Sequence, residues 1–257
     1  MNMVGGKNSI RRHNYVTFFL ILELSIYLSF LYIDISERMN YNISSYLKFA
    51  GIVICWLYAV FSPADRVNSR DSKNGKDSKD GTILKTALLF TVVSDLFLLI
   101  YDYYLIGVIT FCIVQMLYMM RLCRWSKKER YLIHLIKKLL RNLLAILTVM
   151  VILYALEFSW NWIAIVSIIY FISFVFNVMD SVVISHKTKN RKQVVFTAGL
   201  ILFLLCDINV GLFNMIDVTN VNHSWLLAVY HFSTIAMWMF YLPAQVLIVL
   251  SKYTKNN

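Results

Sequence analysis

Residues 83–120 read ILKTALLFTVVSDLFLLIYDYYLIGVITFCIVQMLYMM. The stretch contains two apolar runs, and a membrane-crossing helix needs about 20 residues of this kind. Only the polar pair Asp102 and Tyr103 separates the runs, and one carboxyl group, Asp95, lies inside the first of them. The stretch therefore predicts two membrane helices joined by a tight connection.

The same pattern extends over the rest of the chain, in which 59% of the 257 residues are hydrophobic and 15% are charged. Hydrocarbon offers the backbone no hydrogen-bond partner, so runs of this length cross it as helices. The sequence predicts an all-α, polytopic membrane helical bundle that forms a single transmembrane domain over residues 1–257. Its eight predicted spans are Tyr15–Ile33, Tyr46–Phe61, Ile83–Tyr101, Tyr104–Met120, Leu139–Phe158, Trp162–Ile184, Val194–Phe213 and Trp225–Leu250.

The distribution of basic residues predicts how the bundle is oriented. All of the 25 lysines and arginines except Arg38 and Lys48 lie in the terminal segments, or in or beside the second, fourth and sixth connections. Because lysine and arginine accumulate in cytoplasmic loops, we expect both termini in the cytoplasm. We expect a multi-pass protein of the plasma membrane. The net charge of +11 then reflects topology, and no nucleic-acid partner is expected.

Two of the basic connections have a distinct composition. Residues 65–81 are rich in Ser, Asn, Asp, Lys and Gly, which is typical of a flexible cytoplasmic loop. Residues 125–141 alternate basic residues with leucine and isoleucine, which predicts an amphipathic helix along the cytoplasmic membrane surface. This helix is expected to contact anionic lipid headgroups, and the alternative is a helix that binds a protein partner.

Asp95 and Asp207 are the candidate catalytic residues because each lies deep inside a predicted span, at nearly the same depth. A carboxylate at the centre of a membrane helix costs about 2.5–3.5 kcal/mol on insertion scales, so it is seldom kept without a role. Two close carboxylates resist double ionisation, and this leaves one as a proton donor and the other as a base. A proton relay would use the same pair.

A short internal repeat relates the two spans that carry these aspartates. The pair Thr-Ala stands at residues 86–87 in the third span and at residues 197–198 in the seventh. Parallel repeats occur in membrane transporters. A repeat of four plus four helices would give Asp95 and Asp207 corresponding positions.

Polar side chains at helical spacing in other spans are expected to face the bundle interior. The candidates for binding substrate or for supporting the aspartates lie in the fourth and eighth spans: Gln115, Tyr118, His231, Tyr241 and Gln245. For each of them the alternative is hydrogen bonding between helices. Glu23 and Asp180 are interpreted as structural.

Three stretches of the chain share the motifs of a known family. They are ALLFTVVSDLFLLIYDYYLIGVITFCIVQMLYMMRL at residues 87–122, GLILFLLCDINVGL at 199–212 and FYLPAQVLIVLS at 240–251. In this order they resemble the central motif, the second aspartate motif and the closing Tyr…Ala-Gln signature of the lysoplasmalogenase (YhhN) family of integral membrane proteins. The resemblance covers most of four spans.

This resemblance implies a hydrolase that cleaves the vinyl ether bond of a lysoplasmalogen-type lysolipid to a fatty aldehyde and a glycerophospho-alcohol. Asp95 and Asp207 stand at the positions of the family's proposed catalytic aspartates. One carboxyl group would protonate the enol-ether carbon, while the other would stabilise the resulting cation and direct water onto it. The implied partners are a membrane lipid or lysolipid substrate and water.

A proton-coupled transporter or a non-catalytic lipid-binding protein on the same scaffold is the alternative, with the aspartates as a relay. The spans lack the paired Gly and Pro interruptions of many transporters, which favours the hydrolase. A zinc-dependent membrane hydrolase would need several histidines in its spans, but of the five histidines only His231 lies clearly within one. We therefore expect neither a metal nor another cofactor.

Overall fold

A computed structural model describes residues 3–36, 41–62, 75–126, 131–219 and 224–254 of the protein. Within these ranges the chain forms eight helices and no strand, so the predicted all-α class is confirmed. The helices are α1 (Met3–Ser36), α2 (Tyr41–Phe61), α3 (Gly75–Leu99), α4 (Tyr104–Trp125), α5 (Tyr131–Ala155), α6 (Trp162–Thr188), α7 (Arg191–Thr219) and α8 (Ser224–Leu250).

Each predicted span coincides with one of these helices. Over the described part of the chain, seven of them, all except α5, are long and apolar enough to cross a membrane. The span predicted at Leu139–Phe158 extends three residues beyond the end of α5, which begins at Tyr131 and continues without a break to Ala155. The described part of the predicted amphipathic segment and the span that follows it are thus one continuous helix. The cytoplasmic placement of the two termini stays a prediction.

The flexible loop predicted at residues 65–81 extends too far at its C-terminal end. Residues 65–74 lie outside the described residues, but α3 already begins at Gly75. Asp80, within the predicted loop, accepts hydrogen bonds from Nε and Nη2 of Arg121 on α4, at 3.1 and 3.2 Å. This ion pair holds the first turns of α3 against α4, an interaction that loop composition does not reveal.

A side-chain cap marks the start of α6, and a residue in the left-handed conformation marks its end. At its start the Asn161 side chain accepts a hydrogen bond from the Ala164 backbone N–H at 2.7 Å, which satisfies one of the free donors of the first turn. At its end Lys189 adopts a left-handed conformation with φ of 50°, and its N–H donates to the Ser185 carbonyl at 2.9 Å. The short connection to α7 therefore begins directly after the helix.

The helices divide into two compact units. The first unit comprises Met1–Gly75 and Ala198–Tyr253, and the second comprises Lys76–Thr197 and Thr254–Asn257. The first unit thus combines the first two helices with the end of the chain. This division differs from the two halves of four helices that the internal repeat predicts.

In the first unit α1, α2 and α8 pack on one another. The ring of Phe19 stacks on Tyr58 at a centroid distance of 4.1 Å, and the Tyr253 hydroxyl donates to the Ala59 carbonyl at 3.2 Å. Gly51 allows a close contact between α2 and α8, since a Cβ atom there would lie 2.9 Å from Cδ1 of Leu242. Aromatic packing and one close glycine contact therefore hold these three helices together.

A proline within α8 creates a specific link to α1. Pro243 has no N–H to donate to the carbonyl of Met239 four residues earlier. The hydroxyl of Tyr27 on α1 donates to that carbonyl instead, at 3.2 Å. In a membrane no water replaces a missing backbone partner, so this bond satisfies the carbonyl at the proline.

The two glycines of α7 have opposite surroundings. A Cβ atom on Gly199 would lie 2.8 Å from Cγ1 of Ile248, 3.0 Å from the carbonyl oxygen of Ala244 and 3.1 Å from the backbone N of Ile248. A Cβ atom on Gly211 would meet nothing within 4 Å. Gly199 thus permits the close approach of α7 and α8, whereas Gly211 has open space beside it.

We expect Gly199→Ala to destabilise the protein and Gly211→Ala to leave it unchanged or more stable. The first change forces two backbones apart and should lower the free energy of unfolding by about 1–3 kcal/mol. The second gains the helix preference of alanine, up to about 1 kcal/mol. Thermal unfolding in detergent, followed by tryptophan fluorescence, measures both. Equal shifts for the two variants would contradict the close α7–α8 packing at Gly199.

In the second unit α4 packs mainly on α6, and α5 contacts both helices. Asp180 on α6 binds two residues of α5: Arg141 through two bonds of 2.9 Å, and Lys138 at 3.1 Å. The guanidinium of Arg141 also lies over the ring of Phe176, 4.3 Å from its centroid. Asp180 therefore fastens α5 to α6, in agreement with its structural interpretation.

Candidate functional site

Asp95 is one of the most deeply buried carboxyl groups of the second unit, with 2% of its surface exposed. The adjacent Ser94 on α3 donates from its hydroxyl to the Gly107 carbonyl of α4 at 2.5 Å. A Cβ atom on Gly107 would lie only 2.5 Å from Cγ of Leu98. The glycine thus brings α4 close to α3 within one turn of Asp95.

Gln115 of α4 is bound to α6 from one side only. The Asn177 amide nitrogen donates both to the backbone carbonyl of Gln115, at 2.9 Å, and to its side-chain Oε1, at 3.0 Å. Among the described residues nothing accepts a hydrogen bond from Nε2 of Gln115, although only 1% of the residue is exposed. Hydrogen bonding between helices therefore accounts for Oε1 of Gln115. Nε2 remains available to another partner.

Tyr118 and Arg121 form a buried layer one turn further along α4. The ring of Tyr118 meets Phe196 edge to face at 5.4 Å. The guanidinium of Arg121 lies between two rings, 4.4 Å from the centroid of Trp125 and 4.5 Å from that of Phe196. With Asp80 as its charged partner, Arg121 is fully buried. Tyr118 is thus set in a rigid aromatic layer.

Asp207 is half-buried on α7, in the first unit. Phe203, one turn earlier on the same face, contacts the ring of Tyr241 on α8 at 5.3 Å. Tyr241 is buried and also meets Trp238 edge to face at 5.6 Å. Tyr241 therefore packs against α7 at the turn that precedes Asp207, as its candidate supporting role requires.

Gln245 lies one turn beyond Tyr241 on α8 and is fully buried. Neither its Oε1 nor its Nε2 has a hydrogen-bond partner within the described ranges. A buried polar group without a partner costs about 1–3 kcal/mol, so this amide as it is packed here lowers the stability of the fold. Bonding between helices, the alternative interpretation of Gln245, finds no support among these residues.

His231 is placed differently from the other candidates of α8. It is exposed, near the start of the helix, and its ring contacts that of Tyr230 at 5.8 Å. Ten residues separate it from Tyr241, which is about 15 Å along an α-helix. His231 therefore does not share the buried environment of Tyr241 and Gln245.

The first unit buries a second acidic residue that the sequence analysis interprets as structural. Glu23 of α1 is 3% exposed, and its Oε1 accepts a long hydrogen bond from Sγ of Cys55 at 3.4 Å. Its Oε2 has no hydrogen-bond partner among the residues described, and a Cβ on Gly51 would lie 3.3 Å from it. Its position inside the first span was the available signal. Only the structure shows that no described cation pairs with it.

A buried ion pair in the same unit was also not predicted. Nζ of Lys48 lies 2.9 Å from Oδ2 of Asp34 and 4.5 Å from the ring centroid of Trp238. Ser44 donates to the other carboxylate oxygen of Asp34 at 2.5 Å. Lys48 lies near the start of the second predicted span and Asp34 directly follows the first, but their pairing could not be predicted. Both are buried or nearly so within helices.

The candidate residues are divided between the two units. Asp95, Gln115 and Tyr118 belong to the second unit, and Asp207, His231, Tyr241 and Gln245 belong to the first. In the part of the chain that the structure describes, no three His, Cys, Asp or Glu side chains are grouped so that they could hold a metal ion.

Comparison with known proteins identifies the family. No curated protein and no solved structure matches the chain. The sequence model of the YhhN family matches residues 43–252, which is most of the chain and includes all seven candidate site residues. The chain therefore belongs to the YhhN family.

Proposed function

We propose that this membrane protein is a hydrolase that cleaves the vinyl ether bond of a lysoplasmalogen-type lysolipid. The products are a fatty aldehyde and a glycerophospho-alcohol. The proposal combines the family membership with the activity that the sequence resemblance implies. It assigns the acid and base chemistry to Asp95 and Asp207.

The burial of Asp95 is the observation that carries the proposal. This carboxyl group is 2% exposed on α3, a helix long and apolar enough to cross a membrane. A carboxyl group kept in such surroundings suits proton transfer, because a protonated acid is far cheaper to bury than an ionised one.

The reaction needs one proton donor, one proton acceptor and one water molecule. The donor gives its proton to the second carbon of the alkenyl chain, and the double-bond electrons form the new C–H bond. The cation left on the first carbon is stabilised by the carboxylate, which takes a proton from the attacking water. The hemiacetal then collapses: the bond to the glycerol oxygen breaks, that oxygen takes a proton, and the aldehyde leaves.

The amide groups of the two units supply further polar contacts. Nε2 of Gln115 and the entire amide of Gln245 are buried without a partner among the described residues. A lysolipid has ether, hydroxyl and phosphate oxygens that accept hydrogen bonds, and a bond to either amide would remove the cost of the unpaired donor in that unit. Tyr118 and Tyr241 are held by ring contacts and keep their hydroxyl groups at fixed positions.

The test is aldehyde release by the purified full-length protein in detergent. We expect aldehyde from lysoplasmenylethanolamine and none from the lysolipid with the saturated ether, which has no double bond to protonate. In heavy water the aldehyde should carry one deuterium on the carbon next to the carbonyl. Aldehyde without this deuterium would contradict protonation at carbon.

The same assay separates the hydrolase from the alternative function. A transporter or a non-catalytic lipid-binding protein would release no aldehyde from either lipid. Absence of aldehyde from a protein that unfolds cooperatively would therefore reject the hydrolase and favour a binding or transport role for the same aspartates.

A further inference from the structure

The second unit contains a partly open cavity between α4, α5 and α6. Its volume is about 240 Å³. The residues that line it come from all three helices: Cys112, Gln115, Met116, Met119, Leu139, Asn142, Leu143, Ile146, Ile169 and Ser173. All of them belong to the second unit. The cavity is therefore a feature of one compact body.

The lining is apolar and carries no charged group. Seven of its ten side chains are hydrocarbon or sulfur-containing, and Gln115, Asn142 and Ser173 are polar but neutral. A phosphate or carboxylate would find no cation on this lining, and an ammonium group would find no anion. The chemistry of the walls selects a neutral, mainly hydrocarbon ligand.

Gln115 adds one hydrogen-bond donor to this apolar lining. Asn177 holds the oxygen end of its amide, and the nitrogen end has no acceptor in the described part of the protein. The residue is 1% exposed, so solvent does not satisfy these N–H groups. Nε2 itself has almost no accessible surface, so a ligand oxygen reaches it only when the amide turns toward the cavity. Such a bond would remove the cost of a buried unpaired donor.

The size of the cavity limits the ligand further. A cavity of about 150 Å³ already holds benzene, whereas sites for drug-sized molecules begin at about 300 Å³. At about 240 Å³ this one has room for part of a single hydrocarbon chain. Two lining residues, Met116 and Leu143, are 52% and 51% exposed, so the opening lies on an apolar surface. A chain can therefore enter from the hydrocarbon of the bilayer.

We propose that this cavity binds the hydrocarbon chain of a single-chain lipid, with an uncharged oxygen of that lipid accepting a hydrogen bond from Gln115. The inference rests on the proposed function for its choice of lipid. Two lipids of that reaction have the required chemistry: the lysolipid, through its ether oxygen, and the released aldehyde, through its carbonyl oxygen.

Cys112 provides a native probe of occupancy because it lines the cavity and is partly exposed, whereas the other three cysteines are buried. The experiment measures the rate at which N-ethylmaleimide alkylates Cys112, by peptide mass spectrometry of the purified full-length protein. The ligands are hexadecanal, the saturated-ether lysolipid and hexadecane. We expect an oxygen-bearing ligand to slow alkylation about tenfold more than hexadecane does, the effect of one hydrogen bond. The lipid that protects more strongly identifies the natural occupant.

Two adjacent residues of α5 supply a matched pair of variants. Ile146→Trp fills the cavity and should abolish protection, whereas Leu147→Trp adds the same side chain at an exposed position that does not line it. Gln115→Leu should reduce protection by hexadecanal to that by hexadecane. Equal protection of the two tryptophan variants, or none by any ligand in the parent protein, would overturn the proposal.

The same measurement on the Asp95→Asn variant separates this inference from the proposed function. Protection requires binding but not hydrolysis. Asp95→Asn should therefore keep the protection of the parent protein although it releases little aldehyde. Protection of Cys112 in a parent protein that itself releases no aldehyde would support the lipid site and reject the hydrolase. Aldehyde release by a parent protein whose Cys112 no ligand protects would support the hydrolase and reject the lipid site.

Discussion

Replacing Asp95 or Asp207 by asparagine is expected to lower the rate of aldehyde release about a hundredfold to ten-thousandfold, the range that general acid and base groups contribute. An amide has nearly the same size as the carboxyl group, but it neither delivers nor accepts the proton of this reaction. Folding should be preserved, since the amide is neutral and cheaper to bury than a carboxylate. Aldehyde release and thermal unfolding in detergent, measured side by side, test both expectations.

Asp102→Asn is the matched control for these two variants. Asp102 is exposed in the connection between α3 and α4, and it adopts a left-handed conformation with φ of 56°. Asparagine tolerates that conformation well, so the same chemical change should alter neither activity nor stability. If Asp95→Asn or Asp207→Asn released aldehyde as fast as Asp102→Asn, the assignment of that aspartate would be wrong.

Arg121→Met is expected to cause the largest loss of stability. The guanidinium is fully buried between Trp125 and Phe196, and Asp80 binds it through two hydrogen bonds. Removing one partner of a buried ion pair costs about 3–5 kcal/mol, because the other charge loses its partner. Asp80 is 18% exposed and so retains some solvation, which places the expected loss near about 3 kcal/mol. Denaturant or thermal unfolding in detergent measures it.

Two further variants show whether this loss comes from the ion pair. Arg124→Met removes the same charge one turn away on α4. Among the described residues its guanidinium approaches the ring of Tyr131 at 5.7 Å, and the variant should cost less than about 1 kcal/mol. Adding Asp80→Asn to Arg121→Met should recover part of the loss, since no unpaired carboxylate remains. Equal losses for the two arginine variants would show that the buried pair contributes nothing specific.

Much of the fold follows from the sequence through the length and spacing of its apolar runs. Backbone groups in hydrocarbon must bond within a helix, so each predicted run lies wholly or mostly within one helix. The exceptions are at the ends. α3 begins before the end of the predicted loop because Asp80 pairs with Arg121, 41 residues away in the chain. Hydropathy contains no signal for such a distant partner.

The sequence predicted which polar residues are buried, but not which residues they pair with. The depth of Asp95 in its run indicated that the carboxyl group is buried, and it is. The runs of Glu23 and Asp180 look similar, but Asp180 meets two cations and the Oε2 of Glu23 meets no donor in the described residues. Which charges meet depends on how the helices rotate and cross, and hydropathy along one helix does not determine that.

The sequence by itself determined the class of the protein, the eight helices of its described part and the two carboxyl groups kept within apolar runs. The tertiary structure alone decided the surroundings of each side chain. Gly199 and Gly211 are the same residue on one helix, but only the first contacts a neighbouring backbone. Likewise, the cavity beside Gln115 arises from the packing of three helices. The physical reason is that a helix forms from local hydrogen bonds, whereas cavities, ion pairs and close contacts form between segments that are distant in the chain.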